Sequence, residues 1–232
     1  MTTFKTLVCL ANSRKLLGRC VAGIVEGGQT EWIRPISARL THELSQDERQ
    51  YEDGSDPRVL DIISVPLRQP EAHSYQSENW RLDLDYYWRK IGQAGWDKLL
   101  TLEQHPRTLW INGSNTYHGY NDRVLMQQAN TLVDSLKLIR VDRVTLRVHA
   151  VNTTSGEQKR VVRAQFRHAG LEYVLRVTDP EYEREYLTRS DGLYKLGEAF
   201  MTVSLGEPFD GYTYKLVAAI MERAKIETGS KK

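Results

Sequence analysis

Residues 143–178 read RVTLRVHAVNTTSGEQKRVVRAQFRHAGLEYVLRVT, and the period of this stretch decides the fold. Val144, Leu146, Val148 and Ala150 alternate with Arg143, Thr145, Arg147 and His149, the period-two pattern of a strand with one buried and one wetted face. Val162, Ala164 and Phe166 then alternate with Arg163, Gln165 and Arg167, and Leu171, Tyr173, Leu175 and Val177 with Glu172, Val174, Arg176 and Thr178. The separating stretches, Asn152–Gly156 and His168–Gly170, are short enough for hairpin turns, so the three runs predict an antiparallel meander.

Such a meander is the first half of a five-stranded OB barrel, a fold whose outer sheet face is a usual ligand surface. A later strand over Tyr212–Ile220 and a short helix over Met221–Glu227 continue it. Upstream, Phe4–Ala11, Arg19–Val25, Glu31–Ile36 and Val59–Leu67 are further apolar or β-branched runs, with Gly27-Gly28 as a turn and a polar helix over Thr41–Arg49. Between these zones the alternation is lost. Leu84, Trp88 and Ile91 fit one helical face, and Trp96, Leu99 and Leu100 fit another after the Gly92–Gly95 break, which makes Trp80, Trp88 and Trp96 core plugs rather than stacking platforms. The reading is a mainly β chain of two OB-like barrels, residues 1–70 and 136–232, joined by a helical connector over 71–135.

With 40% hydrophobic and 27% charged residues the chain has the composition of a folded domain, and only the tail after Ile226 reads as disordered. The apolar run Leu7–Ala11 is too short to span a bilayer, which predicts a soluble cytoplasmic protein without membrane contact. Cys9 and Cys20 form no CxxC and the six histidines no ligand spacing, so neither a disulfide framework nor a structural metal or other cofactor is expected, and both cysteines read as small buried hydrophobes. No GxSxG, HExxH, GxxxxGK[ST] or GxGxxG occurs, and a non-catalytic role follows as the expectation.

Charge is informative by position rather than by total. The net charge is only +2, yet Lys137–Arg176 holds nine basic and three acidic residues. Arg143, Arg147, His149, Arg163, Arg167 and Arg176 all fall on the wetted face of the meander, where guanidiniums repel each other unless an anion offsets them. Phosphate suits this face, because arginine forks hold its oxygens bidentately. The alternative is a solvated face paired to acids such as Glu181, Glu183 and Glu185. A second candidate is Asn12, Ser13, Lys15, Arg19, Trp32 and Arg34, a polar turn and cations between strands, with Trp32 as a base-stacking ring.

The stretches LVCLANSRKLLGRCVAG at 7–23, WIRPIS at 32–37, YQSEN at 75–79, VTDPEYE at 177–183 and VSLGEPFDGYTYKLVAAIM at 203–221 resemble the dual OB-fold containing domain, from about Lys5 to Ile220. That resemblance implies two OB folds and a nucleic-acid-binding role in bacteria, often beside anti-phage or conflict genes, so a partner protein of a defence operon is implied as well. It marks Gly206, Glu207, Pro208, Phe209, Tyr214 and Lys215 in the last stretch without assigning them roles. The function expected is binding of single-stranded or structured nucleic acid. A sensor of a small phosphorylated ligand such as a nucleotide, or a protein-interaction adaptor, are the alternatives.

Overall fold

A computed structural model of the chain describes residues 1–27, 30–152 and 156–229. Gly28, most of the Asn152–Gly156 turn and the tail from Ser230 lie outside the described residues. The structure is mostly β and forms two compact units, residues 1–103 with 133–136, and residues 104–132 with 137 onward.

In the first unit the strands are β1 (Thr3–Lys15), β2 (Gly18–Val25), β3 (Trp32–Ile36), β4 (Asp61–Pro70), β5 (Asn79–Leu82) and β6 (Arg89–Gln93), with the short helices α1 (Gln46–Arg49) and α2 (Trp96–Leu102). Their order β1-β2-β3-β5-β4 returns to β1, closing a five-stranded barrel to which β6 adds on β4. β3 and β5 run parallel, and the other barrel pairs antiparallel. This is the OB topology. Closure needs β1 to serve two partners, β4 through Thr3–Val8 and β2 through Leu7–Lys15, and a bulge between Cys9 and Ala11 supplies the bend. Gly23 faces Cys9 at that bend, where a β-carbon would overlap the Val8 carbonyl. Leu7, Cys9, Val21, Ile33, Ile63, Val65, Leu67 and Trp88 fill the interior.

Four expectations are corrected here. Residues 71–103, read as connector, belong to the first unit and supply β5, β6 and α2. No helix joins Leu84, Trp88 and Ile91: a turn and β6 put Trp88 in the core and leave Leu84 and Ile91 exposed. The helix expected over Thr41–Arg49 shrinks to α1, whose Glu48 carboxylate accepts from the Ser45 amide at 2.8 Å. Cys9 is buried, and burial pushes its thiol up to about 12, whereas Cys20 is only half-buried.

The second unit repeats the plan. It holds β7 (Arg123–Leu125), α3 (Met126–Ala129), β8 (Leu136–Val141), β9 (Val144–Asn152), β10 (Gln158–His168), β11 (Leu171–Val177), α4 (Pro180–Leu187), β12 (Gly192–Leu196), β13 (Ala199–Leu205), β14 (Tyr212–Glu222) and α5 (Arg223–Gly229). β9, β10 and β11 form the antiparallel meander, and β14 joins β11 in parallel. The fourth strand of the unit comes in two pieces: β12 pairs β9, and after Gly197-Glu198 β13 pairs β14, so the chain itself, rather than a strand pairing, links the two sides of this sheet. α4 enters between the third and fourth strands, with Asp179 as its cap accepting from the amides of Glu181 and, on β14, Ile220, both at 3.0 Å. Val144, Leu146, Val148, Val162, Ala164, Phe166, Tyr173, Leu175 and Val177 are buried as the alternation assigned, whereas towards the strand ends Ala150 is half-buried and Leu171 is exposed.

Candidate nucleic-acid interface

Register decides what the outer face of the meander presents. Arg163 on β10 is directly paired with Arg147 on β9 and with Arg176 on β11, so three guanidinium-bearing positions form one row across the sheet. β12 extends the row with Leu193, and the neighbouring row runs Lys195, Thr145, Gln165, Val174. Arg143, Arg147, Arg167 and Lys195 are exposed, whereas Arg163 and Arg176 are half-buried. Lys195 was not among the expected residues, because β12 is too short to show a period of its own.

The acids that meet this face differ from those expected. Glu183 is buried in α4, and Glu185 pairs with Arg189 and Lys225. Arg163 instead bonds Asp122 at 3.2 Å, with only 12% of the arginine side chain and 4% of the aspartate side chain exposed. Arg167 lies opposite Glu172 and donates to the Gly170 carbonyl at 3.3 Å. Burial is the main influence on Arg163 and lowers its pKa; Asp122 opposes that shift, while Arg176 and Arg147 add to it. Arg163 is thus an interior member of the row, a correction to its reading as a solvated side chain.

Asp122 belongs to a segment that the sequence pattern did not connect with the sheet. Tyr120 exchanges backbone bonds with Val174 on β11 at 3.0 and 3.2 Å, and the Asp122 carbonyl accepts from Lys215 on β14 at 2.8 Å, so residues 120–122 bridge β11 and β14. The Asp122 carboxylate accepts from the Thr116 amide at 2.7 Å and the Thr116 hydroxyl at 2.5 Å. Gly119 must lack a side chain, because a β-carbon there would overlap that carboxylate. Asn121 ties the same turn to Gly113 at 2.8 Å and to the Glu172 carbonyl at 3.0 Å.

This fixed turn carries two aromatic rings to the edge of the arginine row. His118 packs on His149 with ring centroids 4.8 Å apart, and Tyr117 meets His118 at 4.6 Å with the planes at 85°. His149 is therefore covered by another ring rather than open to a phosphate. Burial first, then His118, Arg147 and Arg163, hold its imidazole below the ordinary histidine value. Tyr117 is 95% exposed. Neither Tyr117 nor His118 was legible as a site residue, because their loop shows no periodicity and its packing on β9 is long-range.

The second candidate set does not form one surface. Trp32 is buried and offers no stacking face, and Arg34 is 3% exposed, bonding Glu78 at 2.9 Å, Ser135 Oγ at 2.8 Å and Asn79 Oδ1 at 3.3 Å. Asn12 donates to the Pro57 carbonyl at 2.7 Å, Ser13 sits opposite Cys20, and Lys15 and Arg19 stand beside the turn of the β1–β2 hairpin, where Arg19 exchanges backbone bonds with Leu44 at 2.9 Å.

Two OB barrels, one with a cationic row on its outer meander, define an OB-fold protein of the class whose domains often bind nucleic acids. The chain belongs to the dual OB-containing domain family, which it matches over residues 5–220. Comparison with curated proteins and with solved structures gives no match. No helix among the described residues is long and apolar enough to cross a membrane.

Proposed function

We propose that the protein is a non-catalytic nucleic-acid-binding component whose second barrel holds the sugar-phosphate backbone across β9 and β10. The observation that carries the reading is the row Arg147–Arg163–Arg176, flanked by the exposed Arg143, Arg167 and Lys195. Neighbouring strands stand about 5 Å apart and alternate residues about 7 Å, a spacing that suits a backbone crossing the sheet. Arg163, held by Asp122, fixes the middle of the row, while Arg147 and Arg143 supply the open forks. Contacts of this type position a strand without reading its sequence. The proposal also sets the protein in a prokaryotic defence or nucleic-acid-processing assembly, on the sequence resemblance alone, and in the cytoplasm, on the shortness of the apolar run Leu7–Ala11.

Filter binding with single strands, duplexes and free nucleotides at two salt concentrations tests it. R143A/R147A should weaken binding on every sequence and lower the slope of log K against log salt by about one for each phosphate left without its arginine. Both side chains are exposed, so stability should stay within about 0.5 kcal/mol of the parent. A double variant that binds as tightly as the parent would sink the reading, as would a parent that ignores polynucleotides and binds a nucleotide tightly.

A further inference from the structure

We propose that Tyr117 and His118 form a base-stacking platform beside the arginine row, which makes single-stranded nucleic acid the ligand of this face. The inference rests on the nucleic-acid reading above and narrows it. At 95% exposure the Tyr117 ring buries almost nothing, so core packing does not account for it. The turn that carries it is nonetheless tightly built: Asp122 holds both the Thr116 amide and hydroxyl, Asn121 reaches Gly113 and Glu172, and Gly119 closes against the carboxylate. A ring presented by a fixed turn loses little freedom when a ligand covers it.

Placement supplies the second half of the argument. His149 shares the outer face of β9 with Arg147, two residues away, so the His118 ring lying on His149 adjoins the arginine row at about one alternate-residue spacing. Tyr117 and His118 stand nearly perpendicular, leaving an L-shaped notch of two ring faces. A planar heterocycle laid against one face meets the edge of the other, an arrangement favoured between aromatic rings. A strand whose phosphates follow Arg147 and Arg143 thus brings a base to the notch. In a duplex the base faces are already stacked on each other and only edges and phosphates are offered, so the platform has nothing to hold. Polycations alone would bind both forms; the rings add the discrimination.

The test compares the parent, Y117A, Y117F and R147A on a single strand carrying 2-aminopurine and on a duplex of the same length. The parent should favour the single strand and quench the 2-aminopurine on binding. Y117A should lose about tenfold in single-strand affinity and most of the quench, with duplex binding and the salt slope unchanged, while Y117F retains both. R147A should weaken single strand and duplex alike and reduce the salt slope. If Y117A binds and quenches as the parent does while R147A is weakened on both ligands, the platform is overturned and the backbone reading stands. If neither ligand binds the parent, both are overturned.

Discussion

Arg163 and Lys215 show how single charges are managed inside the second barrel. Removing Asp122 would leave the Arg163 guanidinium buried without its partner and the Thr116 donors unfilled. D122A should therefore cost about 3 kcal/mol, read as a melting temperature lower by about 10 °C. Lys215 is fully buried, with Nζ donating to the Ile111 carbonyl at 2.8 Å and to Asn112 Oδ1 at 2.6 Å, and burial pulls its pKa down to about 7. Between that value and the ordinary lysine value the unfolded chain binds a proton that the folded chain does not. Stability from this group therefore rises with pH across the window from about 7 to about 10. Urea midpoints at pH 7 and 9 should show the rise, and K215M should flatten it.

At the scale of elements, α4 hangs on Asp179, which caps it and also ties it to β14. Burial lifts the Asp179 carboxyl to about 6, so between about pH 4 and 6 the folded form holds the extra proton and stability from this group falls as pH rises. D179A should cost about 1–2 kcal/mol and D179N less, and both should remove that slope in urea denaturation. The meander was legible because one face of each strand is buried and the other wetted, which writes the period directly into residues 143–178. Other parts were hidden for physical reasons. The spacing of Leu84, Trp88 and Ile91 matches a helix by coincidence, since only Trp88 is buried. The alternation of Tyr214, Leu216, Ala218 and Ile220 with Lys215 and Val217 sets Lys215 off the apolar face of β14, yet Thr213, Lys215 and Val217 are buried and Tyr214 and Leu216 only half-buried, so the facing is reversed there. Asp122, Tyr117 and His118 reach the site through a turn whose partners are distant in sequence, and local periodicity carries no trace of such pairings.

At the scale of the whole molecule, the chain passes between its units more than once: residues 104–132 complete the second, and residues 133–136 return to the first. The stretch 104–132 supplies Asp122 for Arg163, the Ile111 and Asn112 acceptors for Lys215, and the bridge between β11 and β14. A fragment of residues 104–232 should unfold cooperatively in urea and bind single strands. A fragment of residues 137–232 should show neither property, because β11 and β14 keep only their short direct pairing at Arg176–Leu216 and Val177–Val217 and two interior side chains, Arg163 and Lys215, lose their partners. Cooperative melting of the shorter fragment would show that the stretch is dispensable.

The return of residues 133–136 bears on how the protein is made. Ser135 bonds both Arg34 and Glu78 within the first barrel, yet it follows Arg34 by 101 residues. At about 5–20 residues per second a ribosome needs about 5–20 s to cover that interval, long enough for all the strands of the first barrel to be synthesised and to pair. A ribosome halted before residue 133 should hold that barrel closed, with Arg34 and Glu78 joined to each other but short of the hydroxyl that both reach. Its last gain in resistance to unfolding arrives during translation of the second barrel.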